Sequence, residues 1–346
     1  MGKRWQQRPP GSNWGEFGED DQLGRLNLLT PAKVLQGIAE VKTGERFCLS
    51  LPLDLPGGNV INARRLPPVL TPTTRHDGRL SMNYPFKLFD PSFSDVVCDD
   101  AVTLYLQYST QWDSFAHMGS MFDADGDGTA EVVYYNGWRG HEHIIGPARY
   151  GEPGDPPVPD AKPGVWKLGI DTFAATPIQG RGVLIDLEAH FGRARRAVGF
   201  ADIEQVMKAD AVVVEPGDMV LFHTGYAQSV LEMAGTPDRK ALANHAELDG
   251  DDPRLLEWIA DSGLAALVCD NYSVEKVRRS AAGFVPMMPI HELCLFKLGI
   301  PLGELWHLTP LAQWLRAHRR ARFLLTAPPL RLPGAAGSPL SPVATV

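Results

Sequence analysis

The chain has 346 residues, 44% hydrophobic and 21% charged, which suits a soluble globular protein with a sizeable core in one large domain or two. Acidic residues outnumber basic ones 41 to 33, a net charge of −8 that gives no electrostatic ground for a nucleic-acid or anionic-membrane partner. Four cysteines (Cys48, Cys98, Cys269, Cys294) stand far apart without a C-x-x-C pair, which fits reduced thiols in a cytoplasmic protein better than a disulfide framework.

In chain order, residues 1–30 read as a polar N-terminal arm carrying Trp5, Trp14 and Phe17, with no apolar h-region of a secretory signal. An arm of this composition is suited to crossing to a neighbouring subunit. Thr30-Pro31 is a helix start, with Thr30 as N-cap, and the spacing of Leu35, Ile38 and Val41 predicts a helix over 31–41 with those residues as its apolar face. Arg46–Leu53 is compatible with a strand. Residues 56–94 are rich in Pro, Gly, Asn and Asp and read as long surface loops, the kind of segment that often carries binding residues. Val102–Leu106, rich in β-branched and aromatic residues, predicts a strand.

The next stretch, Gln107-Tyr108-Ser109-Thr110-Gln111-Trp112-Asp113-Ser114-Phe115-Ala116-His117, packs two amides, a carboxylate and an imidazole into eleven residues, too polar for a core strand. Strand alternation puts Gln107, Ser109, Gln111 and Asp113 on one side. A straight chain would hold Gln107 and His117 about 33 Å apart, so convergence requires a bend near 109–114. The stretch reads as a site. Asp123-Ala124-Asp125-Gly126-Asp127-Gly128 imitates half of a calcium loop, but Tyr134 stands where a bidentate Glu is needed, and an Asp/Gly turn is the better reading. Tyr134–Trp138 places aromatics beside a turn, followed by His141 and His143.

Gly151–Pro159 reads as a loop. Gly182–Leu187, Met219–Thr224, Leu264–Cys269 and Arg322–Thr326 are strand patterns; Ala201–Ala211, with Ile203, Val206 and Met207 inward, and Asp252–Ser262 are helical ones. Strands alternating with helices predict an α/β fold in a single domain over 1–346, ending in a C-terminal tail over 327–346 ordered against the body. No run of about 18 apolar residues predicts a transmembrane helix. Pro289–Leu298 has helical spacing, with His291, Leu295 and Leu298 on its apolar face and Gly299 as terminator. Glu304 follows in an apolar context, where a carboxylate is costly unless it is paired or binds a metal. Neither G-x-S-x-G, a P-loop nor G-x-G-x-x-G is present.

Read by themselves, Asp113 is a turn or capping residue as readily as a ligand, His291 a core histidine, and Glu304 a buried ion-pair partner. Trp14 and Trp112 are core aromatics or stacking platforms. The motif, however, resembles H-x-G-T-H-x-D-x-P-x-H of the cyclase or kynurenine-formamidase-like metal-dependent hydrolases: Thr110, Asp113 and His117 match, while Gln107 and Gln111 occupy two positions of ligand histidines. The Tyr-Asn-Gly segment, the His291/Glu304 separation, Asp20–Asn27 and Gly337-Ser338-Pro339 extend the resemblance over most of the chain. It implies a mixed sheet with a swivelling β/β/α arrangement, a homodimer or homotetramer, and a small-molecule substrate. It also implies a divalent ion, Mn²⁺ or Zn²⁺, held by Asp113, His291 and Glu304, with His117 as acid/base. Gln107 and Gln111, poor zinc ligands but tolerable for Mn²⁺, then ligate weakly or bind substrate, with Trp14, Trp112, Tyr135 and His141 as further substrate contacts. The implied reaction is hydrolysis of a cyclic or aryl amide, imide or lactone; the alternatives are a ligand-binding member that has lost metal, or a ring-closing cyclase or dehydratase.

Overall fold

The computed structural model describes residues 4–147, 164–280 and 282–346, so the expected loop at Gly151–Pro159 lies outside the described residues. Nine short segments build one mixed sheet: Arg46–Cys48 (β1), Gln111–Asp113 (β2), Gln179–Asp186 (β3), Met219–His223 (β4), Ala266–Cys269 (β5), Leu302–Glu304 (β6), Arg322–Thr326 (β7), Gly337–Pro339 (β8) and Val343–Thr345 (β9). Their order is β1-β9-β7-β3-β4-β5-β6-β2-β8. The run from β3 to β6 is parallel and every other neighbouring pair is antiparallel. All residues of β4 and β5 are buried, as expected of parallel strands covered on both faces. Helices at Phe200–Ala209, Pro253–Asp261 and Pro289–Leu298 make the crossovers that parallel neighbours need. The α/β prediction holds.

The helix starts are where the capping signals put them. Thr30 accepts the Lys33 N–H at 3.3 Å ahead of a helix over Pro31–Ala39, and Asp252 accepts the Arg254 N–H at 2.9 Å. The first helix nevertheless turns a different face inward from the expected one: Leu35 and Ile38 are 63% and 49% exposed, while Lys33 and Gly37 are buried. Gly37 lets the helix lie directly on β3, where a Cβ would come within 2.8 Å of the Gly180 backbone, and Lys33 Nζ reaches the buried Asp218 at 3.1 Å. Backbone approach and one buried ion pair override the apolar periodicity.

The strand expected at Val102–Leu106 is displaced. The observed strand, Asp100–Thr103, is exposed throughout and pairs with Val69–Pro72 in a separate two-stranded ladder. The motif instead supplies Gln111–Asp113, the penultimate strand of the large sheet, polar in sequence yet fully buried. The segment at 56–94 accordingly contains short strands as well as loops. The strand at Arg46 is shorter than expected and stops at Cys48.

Trp14 is fully buried, its Nε1 donating to Phe296 O at 2.8 Å, so this part of the N-terminal arm packs on the body of its own chain. Part of the expected C-terminal tail is sheet, with β9 inserted between β1 and β7 and β8 paired with β2. Asp123 closes its turn by accepting backbone N–H groups from Gly126, Asp127 and Gly128. Among the described residues no helix is long and apolar enough to cross a membrane.

Candidate metal centre

The centre is built on β2. Strand alternation sends Trp112 to one face, where it packs edge-on to Trp306 at 4.9 Å and donates to Ala327 O at 2.8 Å. Gln111 and Asp113 take the other face. The antiparallel register sets Glu304 of β6 directly opposite Gln111, and Gln111 Nε2 donates to Glu304 Oε2 at 2.9 Å and to Asp113 Oδ1 at 3.5 Å. The bend expected before and after Asp113 is present. Upstream, Thr110 Oγ1 donates to Leu305 O at 2.5 Å and accepts from Leu51 N at 2.9 Å. Downstream, the His117 N–H donates to Ser114 O at 2.9 Å, which turns the imidazole back until its Nε2 lies 3.8 Å from Asp113 Oδ2.

His291 arrives from the first turn of the Pro289–Leu298 segment, which runs as α-helix to His291 and as π-helix from Glu292 before Gly299 ends it in the left-handed region. Its Nε2 is 3.3 Å from Glu304 Oε1, and its Nδ1 is 3.0 Å from Glu275 Oε1. Glu275 also accepts the N–H groups of Ile290 and His291, both at 2.8 Å, and so caps that turn. A tight turn delivers it: Ser273 and Val274 both sit at positive φ (73° and 57°), costly for a β-branched valine. Asn271 Nδ2 braces the turn by donating to Ala246 O and Val274 O.

One donor atom from each of Asp113, His291 and Glu304 lies within 4.8 Å of the others, and all three residues are buried. Burial, then the charge of Glu304, holds the Asp113 carboxyl well above its ordinary range. Burial pulls Glu304 the same way, but the hydrogen bond and charge of His291 outweigh it and lower that carboxyl. Burial would strip His291 of its proton, yet its bonds to Glu275 and Glu304 push it up to about 10. His117, desolvated and facing the positive His291, falls to about 4 and is neutral at pH 7.

The donor set fits a divalent ion on a specific observation. Asp113 Oδ2 and Gln111 Oε1 are buried with no hydrogen-bond partner among the described residues, and such orphaned acceptors in a polar cluster call for a ligand. A second carboxylate and an imidazole whose Nδ1 is engaged by Glu275 complete a plausible O,O,N set. The centre opens into a cavity of about 610 Å³ lined by Arg64, Arg65, Gln107, His117, Met118, Tyr272, Ser273, Val277, Met287, Met288, His291 and Glu304.

Of the residues singled out in the sequence, Asp113, His117, His291, Glu304 and Gln111 converge, and Gln107 lines the same cavity. Gln111 turns its NH₂ toward the carboxylates and thereby orients them. Trp14, Trp112 and Tyr135 do not reach the cavity: each is fully buried, and Tyr135 donates to Asp21 at 3.3 Å. His141 is exposed at a positive φ of 64° and lies outside it too. Glu275, Arg64 and Arg65 were missed. The arginines sit in the loop segment whose composition suggested binding, whereas nothing in the sequence around Glu275 marks it.

A family model described as “Putative cyclase” matches residues 49–276. The chain is similar to a crystal structure described as a novel cyclase, at 29% identity and a TM-score of 0.73, covering 97% of this chain and 99% of that one. It shares a fold with isatin hydrolase A from Ralstonia solanacearum (15% identity, TM-score 0.55, 91% and 97% covered) and from Labrenzia aggregata (14%, 0.53, 91% and 98%). No curated protein sequence matches the chain.

Proposed function

Because the chain belongs to the cyclase family, we propose that it is a divalent-metal-dependent hydrolase that opens a cyclic or aryl amide, imide or lactone at its C–N or C–O bond. The observation that carries this reading is the buried, unpartnered Oδ2 of Asp113 beside His291 and Glu304. The isatin hydrolases that share the fold are named for a cyclic amide, which falls within the proposed class.

Asp113, His291 and Glu304 would hold Mn²⁺ or Zn²⁺, which when bound acidifies water and polarises a carbonyl. Everything else comes from the chain. Gln111 fixes the rotamer of Glu304 through its 2.9 Å bond, and Glu275 fixes the ring of His291. His117 is neutral at pH 7 and faces the cavity, so its free ring nitrogen accepts a proton there and returns it to the departing nitrogen or oxygen. Gln107 offers the substrate one donor and one acceptor group from the cavity wall.

The test is the metal content of protein purified without chelator, beside Asp113→Ala. One manganese or zinc per chain, lost in the variant, is expected. No metal after soaking in either ion would favour instead a ligand-binding protein that lost metal with its histidines. His117→Ala should keep the metal while turnover drops by roughly 10²–10⁴. A product heavier by one water identifies hydrolysis; a product lighter by one water would identify a ring-closing dehydratase.

The same proposal includes a homodimer or homotetramer in the cytoplasm. Leu70, Phe89 and Val102 are 69%, 74% and 48% exposed in the 56–105 segment, apolar surface that a second copy would cover. All four cysteines are free thiols. Light scattering on the purified protein tests the assembly.

A further inference from the structure

The walls of the cavity carry two cations, and the charge of Arg65 reaches the floor carboxylates Asp113 and Glu304. Arg64 and Arg65 both line the cavity, in a chain with a net charge of −8. Among the described residues neither guanidinium is ion-paired with a carboxylate. Arg65 spends one nitrogen on Gln107 O at 2.5 Å and lies 5.7 Å from the centre of the Tyr272 ring, leaving most of its donor fork open. The pair is placed deliberately: Asn62 Oδ1 accepts the Arg64 N–H at 3.0 Å, Asn62 O accepts the Arg65 N–H at 3.1 Å, and Asn62 Nδ2 donates to Tyr272 OH at 2.7 Å. The loop is thereby anchored to the turn region that carries Glu275.

The two floor carboxylates, Asp113 and Glu304, are balanced by a divalent ion in the reading above, so the arginines remain as a net positive pair facing the substrate. A neutral lactam or lactone offers them a carbonyl oxygen but no charge to offset. Met118, Met287 and Met288 line the same cavity and supply a polarisable apolar wall that suits a flat ring.

We infer that the substrate is an aryl amide or lactone bearing a carboxylate beside the scissile bond, received by Arg65 with Arg64 while its ring lies against the methionines. This rests on the reading above for the chemistry and for the ion that offsets the floor carboxylates. A planar guanidinium fork matches a carboxylate in two parallel hydrogen bonds, which a lysine in the same place cannot reproduce.

The experiment has two arms. In the first, wild-type protein loaded with Mn²⁺ is given 2-formamidobenzoate and formanilide, which differ only in the ortho carboxylate. The expected kcat/KM ratio favours the carboxylate by about tenfold or more, equivalent to at least about 1.4 kcal/mol. Arg65→Met and, separately, Arg64→Met should each collapse that ratio toward one, with Arg65→Lys recovering part of it. In the second, the same Mn²⁺-loaded protein is titrated with benzoate and with benzamide, which have no bond of the proposed class to open beside an ortho carboxylate; benzoate should bind more tightly, and 0.5 M NaCl and either methionine variant should abolish the difference. Equal turnover of the two formamides would overturn the carboxylate inference and leave the hydrolase reading standing. No turnover of either, with benzoate still preferred through the arginines, would do the reverse. Benzoate and benzamide binding alike would sink the anion site outright.

Discussion

Glu275 shows how much a single buried side chain can hold at once. Its two oxygens take three donors from Ile290 and His291, so it caps a helical turn and fixes an imidazole in the same contact. Partners of this kind behind a ligand histidine set ring orientation and basicity. Glu275→Gln keeps the size but removes the charge and turns one donor against the N–H groups it used to accept. Metal affinity should weaken by about 10–100-fold, read by competition with a chromogenic chelator, while unchanged affinity would mean that His291 is not a ligand. Gln111 poses the opposite question. Gln111→His puts an imidazole where the family motif has one, and metal analysis should then give more than one ion per chain if the position is within ligating reach.

At the level of elements, two predictions follow from how strands and helices meet. Gly37 sits mid-helix, where glycine is ordinarily worse than other residues, but any Cβ would press on the Gly180 backbone. Gly37→Val should therefore destabilise by roughly 1–3 kcal/mol through overpacking, seen as a lower urea midpoint with an unchanged slope; a stabilised variant would mean that the helix can lift off the sheet. The ends of β3 and β4 meet in a buried pair, His223 Nδ1 to Asp186 Oδ1 at 2.8 Å. Burial alone would lower the His223 value, but its bond to Asp186 and the nearby Asp270 and Glu188 charges raise it. A raised folded value means stability fully present below the unfolded value of about 6.5 and lost as pH rises through the folded one. The melting temperature of wild type relative to His223→Asn should accordingly be highest near pH 6 and fall as pH rises above it. A difference that does not change with pH would show that folding leaves the His223 pKa where it was, and one that rises with pH would show it lowered.

On the scale of the whole molecule, the chain closes on itself through its last residues. β9 lies between β1 and β7, and the Val346 carbonyl accepts the N–H groups of Thr43 and Gly44. Ending the chain at Pro339 removes the strand that joins β1 to the rest of the sheet and leaves the edge of β7 bare. Loss of cooperative unfolding, or aggregation, is expected in circular dichroism and size-exclusion runs; a monodisperse, cooperatively melting truncation would mean that β1 and β9 are dispensable.

Local chemistry made much of this legible in the sequence. Thr30 and Asp252 announced helices because caps act within three residues, and the apolar runs at β3, β4 and β5 announced strands because burial on both faces demands uninterrupted hydrophobicity, while β7 alternates between buried and half-buried positions. The Gln107–His117 stretch stood out for its polarity and Glu304 for its apolar context, while the grouping of Asp113, His117, His291 and Glu304 came from the motif's resemblance to a known family. The failures all concern what lies across space. Gln111–Asp113 is an interior strand although its composition argues against one, because β6 and β8 pair its backbone on both sides and its polar side chains gather with Glu304 in the centre. Leu35 and Ile38 face outward because a glycine-to-glycine approach decided the helix orientation, and Trp14, Trp112 and Tyr135 went to the core with their polar atoms bonded to distant partners. Glu275 and the Arg64–Arg65 pair acquire meaning only when chain segments far apart in sequence are folded onto one cavity. Spacing along a chain dictates caps and periodicity; which charges share a desolvated space is a property of the tertiary structure alone.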